Sequence, residues 1–291
     1  MIHHSFKESK NIQLSNSSIE LFLVMYTMQF GNVAYFPSID YDKESFKNKL
    51  LRLNPSLTIL EFPDFDCKFF SNISPTSKNK SKRISTLYEL MISEKKNVIL
   101  LGSLECLTKK TININKFKDA KLTVTKKNNL KYEDIINFLE KYCYEKVDFV
   151  HNPGEYAVRG EILDIYSSIN SSPLRILFDF ENIEKLNIFS TEDQLTKQQI
   201  EKYDVFLPSE FQYNKENIKC FRQLFRKLDI KDKDDFYKSI SNSQILPGSD
   251  QFFPILYKEF DSVLSYLKDF KIIFDFDFEN DFKILLNKEI E

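Results

Sequence analysis

The residue types that most often carry catalysis are scarce in this chain of 291 residues. Histidine occurs only at His3, His4 and His151, so a serine-hydrolase type of triad would have to be built on His151. The carboxylate runs DFDC and DFDFEND are of a kind that usually lies in solvated loops or at strand edges. None of the four cysteines forms a CxxC pair, which disfavours a structural zinc site. We therefore expect no catalytic residue, no metal site and no enzymatic activity.

The sequence also lacks a phosphate-binding loop. A P-loop needs glycines followed by lysine and serine or threonine, which together bind phosphate. The chain has five glycines, none before Gly31, and no Gly-Lys-Ser or Gly-Lys-Thr tripeptide. Gly31 precedes a predicted strand, which is the wrong order for a dinucleotide-binding fingerprint. The expectation is a protein without a nucleotide or another cofactor.

Overall charge and hydropathy narrow the class of protein further. The net charge is −2 and the apolar content 42%, which is typical of a soluble globular protein. Nucleic-acid binding would need a local basic patch such as KNKSKR (78–83), which we interpret instead as a solvated loop and helix start. The best apolar run, IELFLVMYTMQF, contains Glu20 and is far shorter than the roughly 20 residues that span a bilayer. We expect a cytoplasmic protein without a membrane segment.

Arginine is the residue type that stands out. Only six of the 41 basic residues are arginine, and lysine suffices wherever any positive charge suffices. Arginine should persist where a planar fork of donors is needed. The six positions are Arg52, Arg83, Arg159, Arg175, Arg222 and Arg226. Arg159 lies in the segment NPGEYAVRGEILDIY together with Gly154 and Gly160, two of the five glycines.

The elements that must position these residues alternate between helix and strand in the first part of the chain. A capping box at Ser17 and Glu20 and a stop at Gly31 bound the first helix. Alternation of this kind predicts a parallel sheet covered by helices. We expect helices at 17–30, 42–53 and 82–93, strands at 32–37, 56–63 and 97–103, and a polar loop at 64–81.

The pattern changes near Lys121, where several strands follow one another with turn residues between them. This order predicts an antiparallel sheet beside one helix. We expect a helix at 132–145 and strands at 121–126, 147–151, 156–166, 174–180 and 183–189, with a hairpin loop at 169–173.

After Pro208 the helical pattern returns, with a strand near the C-terminal end. We expect helices at 214–228, 234–241, 260–270 and 279–290, and a strand at 271–277. The predicted fold class is therefore α/β, with two domains. Residues 1–120 and 208–291 form a discontinuous α/β domain, and residues 121–207 form an inserted α+β domain.

A family resemblance adds a function to this outline. NPGEYAVRGEILDIY, followed by SPLRILFDFENIEKLNIFSTEDQLT, closely resembles the second domain of the N-terminal, UvrB-like module of the bacterial transcription-repair coupling factors (Mfd). EFPDFDCKFFSNISP, VFLPSEF and ILPGSDQFFPILY resemble other segments of that module in the same order. The resemblance implies that the α/β domain is a degenerate relative of the RecA/helicase-like layer of UvrB, without its P-loop or ATPase activity.

The resemblance also implies a partner. In that family the inserted domain binds UvrA, the damage-recognition subunit of nucleotide excision repair, through two arginines and a phenylalanine. Here the arginines are Arg159 and Arg175, while the third position is occupied by Asp179 and flanked by Phe178 and Phe180. These five residues are the candidate partner-binding residues, within residues 121–207. The full family protein also contacts RNA polymerase and double-stranded DNA through parts absent here, and a C-terminal domain can mask the UvrA surface.

Strand alternation predicts how the candidate residues face. Arg175 and Asp179 should share one face of their strand, and Phe178 and Phe180 should lie on the other, core face. Arg159 should lie on a single strand (156–166) that contains a bulge before Asp164.

Two interpretations of the arginines stay open: surface arginines in ion pairs within the domain, or a docking interface, which the resemblance favours. For the whole chain, the alternative to a UvrA-recruiting module is a UvrB-like DNA-binding or ATP-dependent repair fragment.

Overall fold

The structure, a computed structural model, describes residues 18–37, 42–67, 72–92, 94–118, 120–128, 130–228 and 234–274, with 280, 283 and 284 beyond them. Its helices are α1 (Ile19–Phe30), α2 (Lys43–Leu53), α3 (Ser77–Ile92), α4 (Glu105–Thr108), α5 (Ile114–Lys118), α6 (Tyr132–Lys141), α7 (Lys215–Phe225), α8 (Asp234–Ser241) and α9 (Phe253–Leu256). Its strands are β1 (Val33–Phe36), β2 (Thr58–Glu61), β3 (Val98–Leu101), β4 (Lys110–Ile112), β5 (Lys121–Thr125), β6 (Glu145–Lys146), β7 (Glu155–Arg159), β8 (Ile162–Ile165), β9 (Leu174–Asp179), β10 (Asn182–Phe189), β11 (Thr196–Gln199), β12 (Lys202–Phe206), β13 (Phe260–Ser262) and β14 (Lys271–Phe274).

The first sheet is parallel, with the strand order β14-β1-β3-β2. Helices α1 and α2 cover one face, where Leu23 and Leu50 pack with Val33 and Ile99. Helix α3 belongs to the core on the other face, which also holds Leu100. Burial on both faces explains why the central strands β1 and β3 are continuous apolar runs.

The second sheet has the order β11-β10-β9-β8-β7-β6, and its neighbours are antiparallel except for β6 and β7. Helix α6 packs on one face through Ile135 and Leu139, against a core that includes Leu163 and Ile176. The antiparallel pair β5–β12 joins this same core. A mixed α/β structure with one parallel and one antiparallel sheet is confirmed, while the domain boundaries at 120 and 208 stay a prediction.

Helix α3 begins at Ser77, so the predicted loop at 64–81 and helix start at Lys82 are wrong. Thr76 precedes the helix, and its hydroxyl accepts a hydrogen bond from the backbone N–H of Asn79 at 3.2 Å. A side-chain acceptor at this position satisfies a free N–H of the first turn. The basic run 78–83 therefore lies in the first turns of a helix.

At α1, Ser17 of the predicted capping box lies outside the described residues, and the predicted stop at Gly31 is confirmed by its φ of +93°.

Two predicted elements of the later chain are wrong because other hydrogen bonds, local in the first case and long-range in the second, replace the expected ones. Residues 147–151 are not a strand, because the Glu155 carboxylate accepts the backbone N–H groups of His151 and Asn152 at 2.7 and 2.8 Å. Residues 260–270 are not a helix, because β13 pairs with β4 and a short 3-10 turn follows at Val263–Tyr266. Helix α6 also ends at Lys141, four residues before its predicted end. Most of the predicted helix at 279–290 lies outside the described residues.

Candidate partner-binding surface

Residues 156–166 form a hairpin rather than the single bulged strand that we predicted. Strands β7 and β8 are antiparallel, with Arg159 opposite Ile162 and Ala157 opposite Asp164. Gly160 and Glu161 make the turn, and Gly160 has a φ of +60°. Two-residue hairpin turns need such a conformation, which glycine adopts without strain. The turn resets the alternation, so Asp164 and Arg159 lie on the same face of the sheet.

Asp164 is the centre of this face. Its side chain is fully buried, and Arg175 lies directly opposite it on β9. Arg175 donates from Nε to Oδ1 at 2.8 Å and from Nη2 to Oδ2 at 2.9 Å, in the fork geometry that suits a carboxylate. Its Nη1 donates to the backbone oxygen of Gln194 at 2.9 Å. Arg159 donates from Nη2 to the same Asp164 Oδ2.

Two guanidinium groups therefore share one carboxylate, and the group of three side chains carries one excess positive charge. The Arg175 side chain is 12% exposed and that of Arg159 is 33% exposed. Arg159 contacts Asp164 through Nη2 alone, whereas Arg175 uses all three of its nitrogen atoms. The ion pairs within the domain are thus observed, and the exposed part of Arg159 still has donor groups to offer.

Aromatic rings support both arginines. The guanidinium carbon of Arg175 lies 4.4 Å from the centre of the Phe189 ring, and that of Arg159 lies 4.8 Å from the centre of the Phe149 ring. Cations attract aromatic faces at these distances. Phe189 is buried, whereas Phe149 is 51% exposed. The sequence did not single out Phe149, because 147–151 was assigned to a strand.

Strand β9 confirms the predicted alternation as far as its last residue. Phe178 is buried on the core face and touches the ring of Tyr132 edge-on, with 5.4 Å between the centroids. Arg175 is half-buried and Asp179 is exposed, both on the opposite face. Phe178 is therefore part of the core rather than available to a partner.

Phe180 contradicts the prediction that it is buried. The strand ends at Asp179, which pairs with Asn182, so Phe180 and Glu181 form a two-residue turn. Phe180 is 88% exposed and has a φ of +52°. A bulky residue is uncommon in this left-handed conformation. Among the candidate residues, Phe180 is thus the exposed aromatic, at the tip of the β9–β10 hairpin.

The sheet face that carries Arg159, Asp164 and Arg175 is called the arginine face below. The loop between β10 and β11 borders it, because Gln194 in this loop bonds Arg175. The Gln194 side chain donates from Nε2 to the backbone oxygen of Val150 at 3.1 Å. Lys197 donates to the Asp193 carboxylate at 2.7 Å, and this bond, with the backbone N–H of Leu195, lowers the pKa of Asp193 to about 2. The loop is therefore held by two contacts, that of Gln194 with Val150 and that of Asp193 with Lys197.

A second arginine centre lies among buried aromatic side chains. Arg83 on α3 is fully buried and donates from Nε to Glu210 Oε2 at 2.5 Å and from Nη2 to Oε1 at 3.3 Å. Its Nη1 donates to the backbone oxygen of Pro63 at 2.7 Å. The rings of Phe62 and Phe65 lie 4.1 and 4.0 Å from its guanidinium carbon. Because Glu210 lies just after β12, this pair ties α3 to the segment that follows the β5–β12 pair.

Among the residues that the structure describes, no three histidine, cysteine, aspartate or glutamate side chains come together as a metal site requires. No helix among the described residues has the length and apolar character needed to cross a membrane.

A comparison with known protein families matches the segment that carries this surface. Residues 122–211, which include every strand of the antiparallel sheet and all of the β5–β12 pair except Lys121, match the family model described as the UvrB interaction domain. The arginine face thus lies in a segment that resembles UvrB interaction domains.

Individual proteins similar to this chain are transcription-repair-coupling factors. The chain is 27% identical over 74% of its length to the transcription-repair-coupling factor of Haemophilus influenzae, and it covers 19% of that protein. It is 25% identical over 69% of its length to the factor of Escherichia coli and 26% identical over 76% to that of Rickettsia bellii, covering 18% and 20% of them. The resemblance to the N-terminal module of the transcription-repair coupling factors is confirmed. The chain spans about a fifth of the length of these relatives.

Proposed function

We propose that this chain acts as the N-terminal module of a transcription-repair coupling factor and recruits UvrA through residues 121–207. It would thereby link the removal of stalled RNA polymerase to nucleotide excision repair in the cytoplasm. The observation that carries the proposal is the pair Arg159 and Arg175 on one buried carboxylate, inside the segment that matches the UvrB interaction domain.

The geometry suits the docking of an acidic partner. Asp164 fixes the position of both guanidinium groups before a partner arrives, which lowers the entropy lost on binding. The excess positive charge attracts a carboxylate, and Arg159 offers it the donors that Asp164 does not use. Phe180 supplies an exposed aromatic anchor, and Asp179 beside it is free of the core. Aromatic and arginine side chains of this kind are the usual hot spots of interfaces.

The parallel-sheet layer, in this proposal, is a degenerate RecA/helicase-like support without ATPase activity. Ligands of α/β sheets bind at the carboxyl ends of the strands. At that edge, the ring of Phe36, the last residue of β1, packs so closely on Gly102 after β3 that a Cβ at Gly102 would lie 2.5 Å from the ring. An aromatic ring thus fills space next to the strand ends, which supports a structural role.

The rest of the proposal concerns the longer protein. RNA polymerase and double-stranded DNA would be bound by parts outside these 291 residues. A C-terminal domain of the full protein would mask the arginine face until UvrA is needed. Equal UvrA affinities of this chain and of the intact protein would remove the masking.

Calorimetric titration with UvrA tests the recruitment. Arg159→Ala and Arg175→Ala should each raise the Kd by about 30-fold, the size of a hot-spot loss of about 2 kcal/mol. Arg52→Ala, at an exposed arginine on α2, is the matched control and should leave the Kd unchanged. Thermal unfolding of each variant confirms that it is folded.

Two results would overturn the proposal in favour of a UvrB-like repair fragment. One is UvrA affinity that neither arginine variant alters. The other is ATP turnover, or tight DNA binding that weakens steeply with salt, by the purified chain.

A further inference from the structure

Next to the arginine face lies an apolar pair that the proposed function does not use. Phe149 is 51% exposed and Leu195 is 62% exposed, one on each of the two loops that border the face. Phe149 touches Arg159, and Leu195 follows Gln194, whose backbone oxygen accepts from Arg175. Phe149 is thus in contact with one arginine, and Leu195 is the chain neighbour of the residue that binds the other.

The loop that carries Phe149 is held firmly. Its neighbour Val150 is fully buried and packs with Ala157 and Phe189. The backbone N–H of Val147 donates to Tyr156 O at 2.9 Å, and Gln194 bonds the backbone oxygen of Val150. A large exposed ring on a fixed backbone loses little conformational freedom when a partner covers it. This is the property of an interface anchor.

The second loop is fixed as well, and it is joined to the first. Gln194 connects them, because its side chain bonds Val150 and its backbone oxygen accepts from Arg175. The ion pair of Asp193 with Lys197 holds the residues on either side of Leu195. Phe149, Arg159, Arg175 and Leu195 thus belong to one surface whose two loops are connected by hydrogen bonds.

We propose that Phe149 and Leu195 form the apolar rim of the docking surface, so that it takes an acidic residue flanked by apolar side chains. This inference rests on the proposed function, in which UvrA is the partner. The excess positive charge selects the partner carboxylate, and the apolar rim excludes water from the pair that forms. An ion pair between arginine and carboxylate strengthens when its surroundings are dry.

Calorimetry with UvrA tests the rim. Phe149→Ala and Leu195→Ala should each weaken binding by about tenfold. The matched control is Phe30→Ala, since Phe30 on α1 is 50% exposed and distant in sequence from the surface. Phe149→Ala should leave the salt dependence of binding unchanged, whereas Arg159→Ala should reduce it.

A double variant separates contact with the partner from mere positioning of Arg159. In the Arg159→Ala background, Phe149→Ala should still weaken binding if Phe149 itself touches the partner. The inference of an apolar rim would be overturned if Phe149→Ala caused no further loss of affinity in the Arg159→Ala background. It would also be overturned if Phe149→Ala and Leu195→Ala each left the Kd unchanged. Either result would leave the proposed function intact. Absence of UvrA binding by the unmodified chain would overturn the proposed function and the rim together. A dimer of the chain alone that Phe149→Ala dissociates would assign the rim to a second copy and likewise overturn the inference.

Discussion

Both arginine centres of this molecule bind a carboxylate through guanidinium nitrogens, but they differ in burial and in net charge. At α3 one guanidinium meets one carboxylate, and both side chains are buried, at 0% and 2% exposure. On the antiparallel sheet two guanidiniums meet one carboxylate, and one of them is a third exposed. The first centre is neutral and closed by two aromatic rings, whereas the second keeps a charge and free donors. The ratio of arginines to carboxylates therefore distinguishes the buried clamp from the proposed docking site.

Breaking the buried clamp should have the largest effect. Arg83→Leu leaves the Glu210 carboxylate buried without its partner, and the free energy of unfolding should fall by about 3–5 kcal/mol. Urea denaturation followed by circular dichroism measures this change. The double variant Arg83→Leu/Glu210→Leu should recover much of the loss, because no charge is then left unpaired. A loss below about 1 kcal/mol for Arg83→Leu would contradict the clamp.

Removing the shared carboxylate should have the next largest effect. Asp164→Asn leaves the two guanidiniums of Arg159 and Arg175 facing each other, and we expect a loss of about 1–3 kcal/mol in the free energy of unfolding. Added salt should restore part of the loss, since it screens repulsion between partly exposed charges. Asp179→Asn, at an exposed position outside the described ion pairs, is the control and should change stability by less than about 0.5 kcal/mol. Equal effects at both positions would show that Asp164 does not organise the face.

Replacing Arg159 by lysine keeps the positive charge but removes the planar arrangement of donors, so it tests which of the two properties the arginine face depends on. Arg159→Lys should change the free energy of unfolding by at most about 1 kcal/mol, because a third of the Arg159 side chain is in solvent. The same variant should raise the Kd for UvrA by about tenfold, because the lysine ammonium lacks the planar fork that can bind a partner carboxylate bidentately beside Asp164. Arg52→Lys serves as the control in both measurements. Wild-type affinity in Arg159→Lys would mean that charge alone recruits the partner.

Composition and alternation predicted a good part of this arrangement. Scarcity of arginine directed attention to six positions, and three of them, Arg83, Arg159 and Arg175, bond carboxylates in the structure. Continuous apolar runs predicted the parallel strands. Period-two alternation correctly placed Phe178 in the core and Arg175 on the opposite face.

What the sequence could not predict depends on turns and long-range contacts. Alternation does not show where a strand ends, so a bulge was assigned at Gly160 and burial at Phe180. Asp164 gave a usable signal, because a charge amid the apolar residues of ILDI demands a partner. The contact of Phe149 with Arg159 had no local signal, since it depends on a loop folding back over the sheet.

The smallest effect should come from Phe180, where stability and binding are expected to move in opposite directions. Phe180→Asn places a residue that tolerates a positive φ at +52°, so the free energy of unfolding should rise by about 0.5–1 kcal/mol. Loss of the ring should at the same time weaken UvrA binding. Phe180→Ala separates the two contributions, because alanine also lacks the ring but does not favour a positive φ as asparagine does. If Phe180→Asn destabilises the fold, the turn is not strained; if UvrA affinity survives both variants, the aromatic anchor lies elsewhere on the face.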